Sequence, residues 1–522
     1  MKYRFWGGLF LVFSMLSAKL TGRAESSLTP GQVVWSYASG YTNLVDFAVS
    51  KDGRVYLGYS DTTAESVLNE YGFYIVTLRR TNQLVALQHT GVFNWERSDA
   101  GQYLALLSDG TVVSSFSDIR RRIGMHPTGN IYYGTYATNN FYIYNQAGGL
   151  EHHGTTGGRA AVNADDSLLV VNLQKYPYSA YPADVARIEG NEHASTWLSS
   201  QDHVIGETPV ISPDGTFYLT SWGSTEPLTL PSGDIIPNDS IPPILFAYNS
   251  DGSRKWSLLD ESFNVGYGTP SIGSDGTLYV ASYRSLTNRA PDWSIISVEK
   301  TYHFKAVSPE GALKWSVEKA EPFGLAAIGE TNNIYVCHGT KLLALTSSGT
   351  ERWSYDAEAP LKLCPALAAD GTVYVATEPG KLLAINSEVG SKEWEYDAGK
   401  PIYNSPVIGT NGNVYLLVDR ADMVVLKGNA EAANVPWPME RHDAQRTSRA
   451  VQASAREIGR NEEGQVTLML NVEPGRDYKV EASEDFVIWT EIGSFTSTST
   501  AKSFLDETSA DKPKRFYRLV VP

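Results

Sequence analysis

The sequence predicts an all-β protein: an eight-bladed β-propeller of four-stranded antiparallel blades, followed by a small β-sandwich, with a seven-bladed ring as the alternative. Three observations lead to this prediction. A strand–turn–strand core recurs along the chain, a tryptophan follows most copies of it, and the recurrence stops after residue 448. One such sheet does not bury both of its faces alone, so repeated units of this kind are expected to close into a ring.

The clearest copy of the unit spans residues 364–397. Asp370-Gly371 lies between two apolar runs, which is the strongest short-range signal for a β-hairpin. It predicts a type I′ turn, in which both central residues have a positive φ. The predicted strands are Ala366–Ala369, Thr372–Ala376, Lys381–Ile385 and a fourth strand that carries Trp394 and Tyr396.

Further copies of the hairpin lie at 46–58, 159–171, 207–219, 268–280, 324–336 and 404–416. In the second unit, either Gly110 or Gly129 can be the hairpin glycine. From a closing tryptophan to the next hairpin glycine the spacing is about 18 to 20 residues, while other segments vary in length. The last unit lacks its tryptophan strand, and the segment 33–37 with Trp35 is predicted to complete that sheet.

The N-terminal residues 1–24 have the pattern of a secretory signal peptide. Lys2 and Arg4 precede an apolar run at 5–18, which is too short for a comfortable membrane span. The mature protein is therefore predicted to be secreted or periplasmic, without membrane insertion after cleavage. The formal net charge of −15 makes nucleic acid and anionic membrane surfaces poor partners.

The repeats resemble those of the pyrroloquinoline-quinone-like (quinoprotein-type) β-propeller family over residues 30–448. The resemblance rests on the hairpins similar to DGTVYV, the KLLAL and KLLAI strands, the closing tryptophans, and starts such as Thr208-Pro209, Thr269-Pro270, Cys364-Pro365 and Ser405-Pro406. Segment 436–447 also resembles a sequence that flanks such propellers in exported bacterial proteins. The resemblance implies the fold more strongly than the function, because this propeller hosts enzymes, assembly factors and binding modules.

Residues 451–522 lack the repeat and are predicted to form the C-terminal β-sandwich. Four stretches in it, VTLMLNV, DYKVEAS, VIWTEIG and FYRLVV, alternate apolar and polar residues as half-buried strands do. The module resembles a short domain ending in FYRL that is found on secreted bacterial proteins. That resemblance implies a spacer or adhesion role and no activity.

Sequence features of an enzyme are missing. The resemblance implies that a quinone-dependent dehydrogenase of this family would have a vicinal cysteine pair. The two cysteines of this chain, Cys337 and Cys364, are not adjacent. No hydrolase, zinc or phosphate-loop motif is present. We therefore predict no catalytic residue, no metal and no cofactor. His442 and Asp443 are interpreted as a cap in the closing segment rather than a catalytic pair.

Two predictions concern particular side chains. Cys337 and Cys364 are either a disulfide between neighbouring blades or two buried thiols. Extra residues fall between the second and third strands of four units, roughly at 60–73, 172–185, 221–243 and 283–301, so these loops are expected on one face. The candidate binding residues on them are Tyr176, Tyr178, Tyr181, Trp222, Tyr283, Arg284, Arg289, Asp292 and Trp293.

Aromatic rings with a polar rim suit a protein segment or a sugar. The predicted function is therefore an exported, monomeric, non-catalytic binding scaffold for a protein or polysaccharide partner. One alternative is an enzyme at the channel mouth, carbohydrate-active or quinone-dependent. Another alternative is an envelope protein assembly scaffold.

Overall fold

A computed structural model describes residues 28–520 outside a set of gaps. The gaps are 40, 42, 69–73, 99–102, 107–111, 126–130, 145, 148, 155–157, 164–167, 173–183, 189–194, 201–207, 221–227, 230–234, 237–243, 260–267, 290–294, 330–331, 362, 434, 444–447, 451–453, 461–464, 473–476, 484–489, 498–500 and 511–514. The predicted signal peptide lies outside the described residues.

The first half of the repeat region contains one separate strand and four groups of strands, which we call units 1 to 4. The separate strand is β1 (Val33–Ala38). Unit 1 is β2 (Leu44–Val49), β3 (Val55–Leu68), β4 (Tyr74–Leu87) and β5 (Phe93–Ser98). Unit 2 is β6 (Tyr103–Leu106), β7 (Val112–Met125), β8 (Ile131–Tyr144) and β9 (Leu150–Gly154). Unit 3 is β10 (Gly158–Val162), β11 (Leu168–Asn172), β12 (Asp184–Ile188) and β13 (Ser195–Ser200). Unit 4 is β14 (Val210–Ile211), β15 (Phe217–Thr220), β18 (Ile244–Tyr248) and β19 (Arg254–Leu259), with the small pair β16 (Leu228–Thr229) and β17 (Ile235–Ile236) between its second and third strands.

The second half contains units 5 to 8 and the C-terminal module. Unit 5 is β20 (Ser271–Ile272), β21 (Leu278–Arg289), β22 (Ile295–Val307) and β23 (Leu313–Lys319). Unit 6 is β24 (Phe323–Ile328), β25 (Ile334–His338), β26 (Lys341–Leu345) and β27 (Glu351–Asp356). Unit 7 is β28 (Ala366–Leu367), β29 (Thr372–Ala376), β30 (Lys381–Asn386) and β31 (Lys392–Asp397). Unit 8 is β32 (Val407–Ile408), β33 (Asn413–Val418) and β34 (Asp422–Lys427). The module is β35 (Ser454–Arg460), β36 (Val466–Asn471), β37 (Asp477–Ser483), β38 (Thr490–Thr496), β39 (Ala501–Asp506) and β40 (Phe516–Val520).

The predicted all-β propeller fold is confirmed. Within the described parts of the repeat region, the strands form six four-stranded sheets, one eight-stranded sheet and the two-stranded pair β16–β17. The N-terminal strand β1 pairs antiparallel with β34 and completes unit 8, with Trp35 opposite Val425. None of the described residues forms a helix long and apolar enough to cross a membrane.

Units 1 and 2 share the eight-stranded sheet, because β4 also pairs with β7 through Val76↔Ile123 and Thr77↔Arg122. Residue 110 lies between the paired strands β6 and β7, and residue 129 lies between β7 and β8. Both candidate glycines, Gly110 and Gly129, lie outside the described residues, so the choice between them stays a prediction. The number of blades stays a prediction, since two of the strand groups are one sheet by hydrogen bonding.

The prediction of a type I′ turn at Asp370-Gly371 is wrong. At the first turn of unit 7 the glycine Gly371 has a φ of 87°, whereas Asp370 does not have a positive φ. Ala368 N donates to Thr372 O at 2.9 Å, and Gly371 N donates to Ala368 O at 3.1 Å. This is a type I turn closed by a left-handed glycine. Asp370 stays right-handed and its Oδ1 accepts from Thr372 N at 3.1 Å, which explains the aspartate.

Among the described side chains, the closing tryptophans join their units to the next ones. Trp353 of unit 6 donates from Nε1 to Ser387 O at 2.9 Å, in the turn before β31 of unit 7. Its ring lies against Gly390 in that turn, and the Tyr335 ring of the same unit lies 6.0 Å away. The same tryptophan–glycine contact recurs between other neighbouring units, in the pairs Trp35–Gly91, Trp256–Gly311, Trp315–Gly349 and Trp394–Gly31.

Replacing Gly390 by alanine is expected to destabilise the propeller by about 2–4 kcal/mol. The left-handed backbone, with a φ of 70°, costs an L-residue about 1–2 kcal/mol. The rest comes from the clash, because the new Cβ would lie 2.6 Å from a ring carbon of Trp353. Urea unfolding followed by tryptophan fluorescence measures the loss.

The matched control is Gly399→Ala, whose φ is 66° but whose Cβ meets nothing within 4 Å. It should show only the backbone cost. Equal losses in the two variants would contradict a role for the tryptophan contact.

Cys337 lies in β25 and Cys364 precedes β28, and the structure holds both as buried thiols rather than as a disulfide. They contribute to one hydrophobic cluster shared by units 6 and 7. Burial raises the pKa of the Cys337 thiol above its ordinary value, so its reactive thiolate is disfavoured.

The C-terminal module consists of two three-stranded sheets, β35-β36-β39 and β38-β37-β40, which share one hydrophobic cluster. The FYRL stretch supplies β40 and part of a buried polar network. Asp506 is 2% exposed and accepts from Tyr517 Oη at 2.9 Å. It also pairs with Arg515 Nη1 at 3.1 Å, so the motif has a structural explanation.

Candidate functional site

The second and third strands of units 1, 2 and 5 continue as long paired ribbons. Those of unit 1 stay paired out to Leu68↔Tyr74, those of unit 2 to Met125↔Ile131, and those of unit 5 to Arg289↔Ile295. Extra residues do fall at 60–73 and 283–301, where the sequence predicted loops. That prediction is wrong, because most of the described residues in these ranges form paired strands. The ribbon of unit 2 was not predicted.

These ribbons project from the face on which the first strands begin, which we call the ribbon face. In unit 5, Gly268 N before the first strand donates to Ala281 O in β21 at 2.8 Å. In unit 1, Ser60 N donates to Asn43 O at 2.9 Å. From each of these points the ribbon continues for about eight residues, which corresponds to roughly 25 Å.

The predicted binding residues are only partly brought together by the structure. Tyr283, Arg284 and Arg289 all lie in the ribbon strand β21, with Arg284 opposite Thr301. Tyr283 is half-buried with its ring 5.9 Å from Tyr302, and burial, followed by the charge of Tyr302, raises its pKa. The other predicted binding residues, Tyr176, Tyr178, Tyr181, Trp222, Asp292 and Trp293, lie outside the described residues.

Strand pairing also brings two arginine-rich stretches onto neighbouring strands. Residues 79–80 of β4 and 120–122 of β7 are all arginine in a chain of net charge −15. The pair Thr77↔Arg122 places these stretches close together on the joined ribbons of units 1 and 2. This juxtaposition depends on pairing between units, which the sequence pattern does not reveal.

Segment 431–450, described except at 434 and 444–447, crosses the inner strands of several units, and we call it the plug. The first strand of each unit pairs with the second strand on one side, so its other edge faces the channel. The plug bonds to these inner edges in units 4, 6 and 7 through Ala450 N→Ile211 O, Ile328 N→Trp437 O and Leu367 N→Pro438 O, at 2.7–2.8 Å. It therefore closes the channel on the side away from the ribbon face.

A buried ion pair ties the plug to units 1 and 2. Arg441 Nη1 lies 3.1 Å from Asp46 Oδ2, and the two side chains are 11% and 12% exposed. The same nitrogen donates to Leu104 O at 2.9 Å, while Leu104 N donates to Asp46 Oδ2 at 3.1 Å. Each charge is thus compensated by its partner and by backbone groups of the second unit.

Above the plug lies an axial cavity of about 210 Å³. Residues at the starts of first strands in units 1, 4, 5, 6, 7 and 8 surround it, and the plug forms its floor. Its walls mix hydroxyl, amide, charged, aromatic and aliphatic groups. The lining is Val45, Asp46, Thr208, Thr269, Pro270, Ser271, Leu325, Leu363, Tyr403, Asn404, Ser405, Trp437, Glu440 and Arg441.

A sequence signal for this cavity exists in the repeats themselves. Asp46, Thr208, Thr269 and Ser405 occupy one repeat position, directly before Phe47, Pro209, Pro270 and Pro406. All four line the cavity, and Asp46 is the only charged residue among them. The same repeat position in unit 3 is Arg159, so comparing the repeats position by position would have drawn attention to both charged residues.

His442 and Asp443 belong to the plug. His442 is 5% exposed, with Nδ1 3.3 Å from Asp443 Oδ2 and its ring edge-on to Trp437 at 5.4 Å. Neither residue lines the cavity. This arrangement is a packing contact of the kind expected for a cap.

The residues around the cavity do not fit a quinone cofactor with calcium. The guanidinium of Arg441 is already paired with Asp46, and no vicinal cysteines are present. Across the described part of the chain, no group of three or more His, Cys, Asp or Glu residues is placed to hold a metal ion.

The fold and the plugged axial channel define a β-propeller with a blind axial cavity. The family model described as outer membrane protein assembly factor BamB matches residues 339–510, from unit 6 into the C-terminal module. This match supports the PQQ-like propeller family that the repeats resemble. No curated protein matches the chain.

Solved structures of low identity are similar to this chain. The Dos1 propeller is 10% identical, with a TM-score of 0.50 over 79% of this chain and 99% of that chain. BamB from Moraxella catarrhalis is 11% identical, with a TM-score of 0.45 over 76% and 99%. A europium-containing methanol dehydrogenase is 12% identical, with a TM-score of 0.45 over 74% and 84%. At such identities the likeness to the Dos1 propeller shows the fold alone.

Proposed function

We propose that this protein is an exported, non-catalytic propeller that binds a protein partner through its ribbon face. The observation that carries the proposal is the projection of three paired ribbons from that face, roughly 25 Å beyond the first strands. Proteins often carry their binding residues on segments that project from a rigid scaffold, as these ribbons project from the propeller. The two neighbouring arginine-rich stretches, 79–80 and 120–122, favour a partner with an acidic surface.

The family match supports a protein-binding or assembly-scaffold role, because its description names an outer membrane protein assembly factor. It also supports an envelope location, in agreement with the signal-like residues 1–24. A polysaccharide partner on the ribbons has no comparable support.

Photo-crosslinking in cells tests the proposal. A photoreactive residue at position 287, in the ribbon of unit 5 opposite Val298, is expected to give one discrete high-mass adduct. The control position is Val389, which is 69% exposed in a turn on the opposite face and should give none. Grafting the short unit 7 turn, residues 377–380, in place of 284–301 should abolish contacts of that ribbon. Equal adducts from both positions, or none from any ribbon position, would overturn the proposal.

The alternative function is a quinone-dependent oxidoreductase at the channel mouth. Titrating the purified protein with pyrroloquinoline quinone and calcium and following absorbance distinguishes it. The proposed binding role predicts no saturable, stoichiometric spectral change. A saturable, stoichiometric change in the absorbance spectrum would favour the oxidoreductase instead.

A further inference from the structure

We propose that the axial cavity is a binding site for one neutral sugar residue, either free or at the end of a glycan. This site is distinct from the ribbons, and the inference does not depend on the proposed protein partner. Its size sets the first limit. A cavity of about 210 Å³ lies below the range of about 300–1,000 Å³ that is usual for drug-sized ligands, so it favours a small ligand such as a single sugar ring.

The charge of the cavity wall excludes anions. The positive charge of Arg441 is compensated by Asp46 at 3.1 Å, and Glu440 adds a carboxylate beside it. The whole chain is also strongly acidic, with a net charge of −15, so an anionic ligand is repelled at long range. The ligand is therefore neutral or cationic.

The polar groups favour a neutral polyol over a cation. Thr208, Thr269 and Asn404 come from units 4, 5 and 8, and all three line the cavity. Such groups both donate and accept, as sugar hydroxyls do. The aliphatic parts of the wall, such as Leu325 and Leu363, suit the C–H faces of a pyranose ring.

Tyr403 provides a stacking platform at the cavity mouth, because it lines the cavity and is 41% exposed. Its ring is held by Arg420, whose guanidinium carbon lies 4.5 Å from the ring centroid. Arg420 is in the β33–β34 turn, where it and Asp419 both have a φ of 54°. The corresponding turns of units 6 and 7 use glycine, Gly339 and Gly380, for their positive φ.

That turn is therefore strained where its neighbours are not. Non-glycine residues in the left-handed region persist only where the surroundings enforce them, and they concentrate at functional sites. Here the turn is enforced by Leu44 N→Arg420 O at 2.6 Å and Asp419 N→Pro401 O at 2.8 Å. The turn thus holds the exposed Tyr403 ring at the edge of the polar cavity, where a sugar ring could stack on it.

The experiment is saturation-transfer NMR and calorimetry on the full chain with methyl glucoside, N-acetylglucosamine, their linear oligosaccharides, and choline. We expect saturable binding of a neutral saccharide with a Kd in the millimolar range. Binding of the oligosaccharide alone would identify a glycan end as the ligand, and binding of the monosaccharide would identify a free sugar.

Two variants localise the binding. Tyr403→Ala removes the platform and should weaken binding at least about tenfold, and Thr208→Val removes one hydroxyl at nearly constant volume and should weaken it several-fold. Tyr396→Ala, on the outer strand β31, is the matched control and should bind as the natural chain does. Thermal melting checks that all three variants are folded.

The proposal is overturned if no saccharide in the panel binds saturably up to about 100 mM, if Tyr403→Ala and Thr208→Val bind unchanged, or if only choline binds. The crosslinking test of the ribbon face is independent of this experiment, because Tyr403→Ala and Thr208→Val do not change any ribbon residue.

Discussion

Replacing Arg441 by alanine is expected to destabilise the propeller by about 3–5 kcal/mol, because it leaves the buried carboxylate of Asp46 without its cation. The loss also removes the bond from Arg441 Nη1 to Leu104 O, so the plug no longer ties units 1 and 2 together. Equilibrium urea unfolding followed by tryptophan fluorescence measures the change.

Two comparisons make this prediction specific. Lys314→Ala removes a surface ion pair with Asp275, in which the side chains are 42% and 46% exposed, and should cost less than about 1 kcal/mol. The double variant Asp46→Leu/Arg441→Leu removes both charges and should be more stable than Arg441→Ala alone. If the double variant were the least stable of the three, the uncompensated charge would not be the cause.

Replacing Asp506 by alanine is expected to destabilise the C-terminal module by about 3–5 kcal/mol. The change leaves Tyr517 Oη without its acceptor and removes the buried carboxylate that neutralises Arg515, whose Nη1 keeps only its bonds to Thr508. Because small domains are stable by only about 5–15 kcal/mol, a large share of the module's stability would be lost. Hydrogen exchange in the full chain should show lower protection of β36 and β39, with units 6 and 7 unchanged.

The control for this variant is Asp477→Ala at an exposed position of the same module, where Thr496 Oγ1 donates to Asp477 Oδ1 at 2.5 Å. Its amide protection should match that of the natural chain. Unchanged protection in Asp506→Ala would mean that the FYRL network does not support the fold.

The repeat was predictable because its signals are local. The Asp370-Gly371 turn and the closing tryptophans each depend on a few neighbouring residues, and the recurrence identifies the ring. Even the ring closure by Trp35 followed from the missing strand of the last unit. The turn type was not predictable from the dipeptide alone, because glycine supplies the positive φ while aspartate serves as an acceptor.

The candidate site was largely missed because it is built from distant segments. Tyr403, Thr208 and Arg441 meet only when units 4 and 8 and the plug surround the same axis. The long inserts were noticed, but whether such a stretch is a loop or a paired ribbon depends on strand register. The pairing of β4 with β7 in particular joins two units and has no signature in either one.

The closure of the ring by β1 has a kinetic consequence. Val33 pairs with Leu426, roughly 390 residues later in the chain, and such non-local contacts form slowly. Until they form, the edge of β34 is an open template on which β1 of another molecule can dock equally well. We therefore expect strand exchange between molecules, giving reciprocal dimers, to be a folding error of this propeller at high concentration.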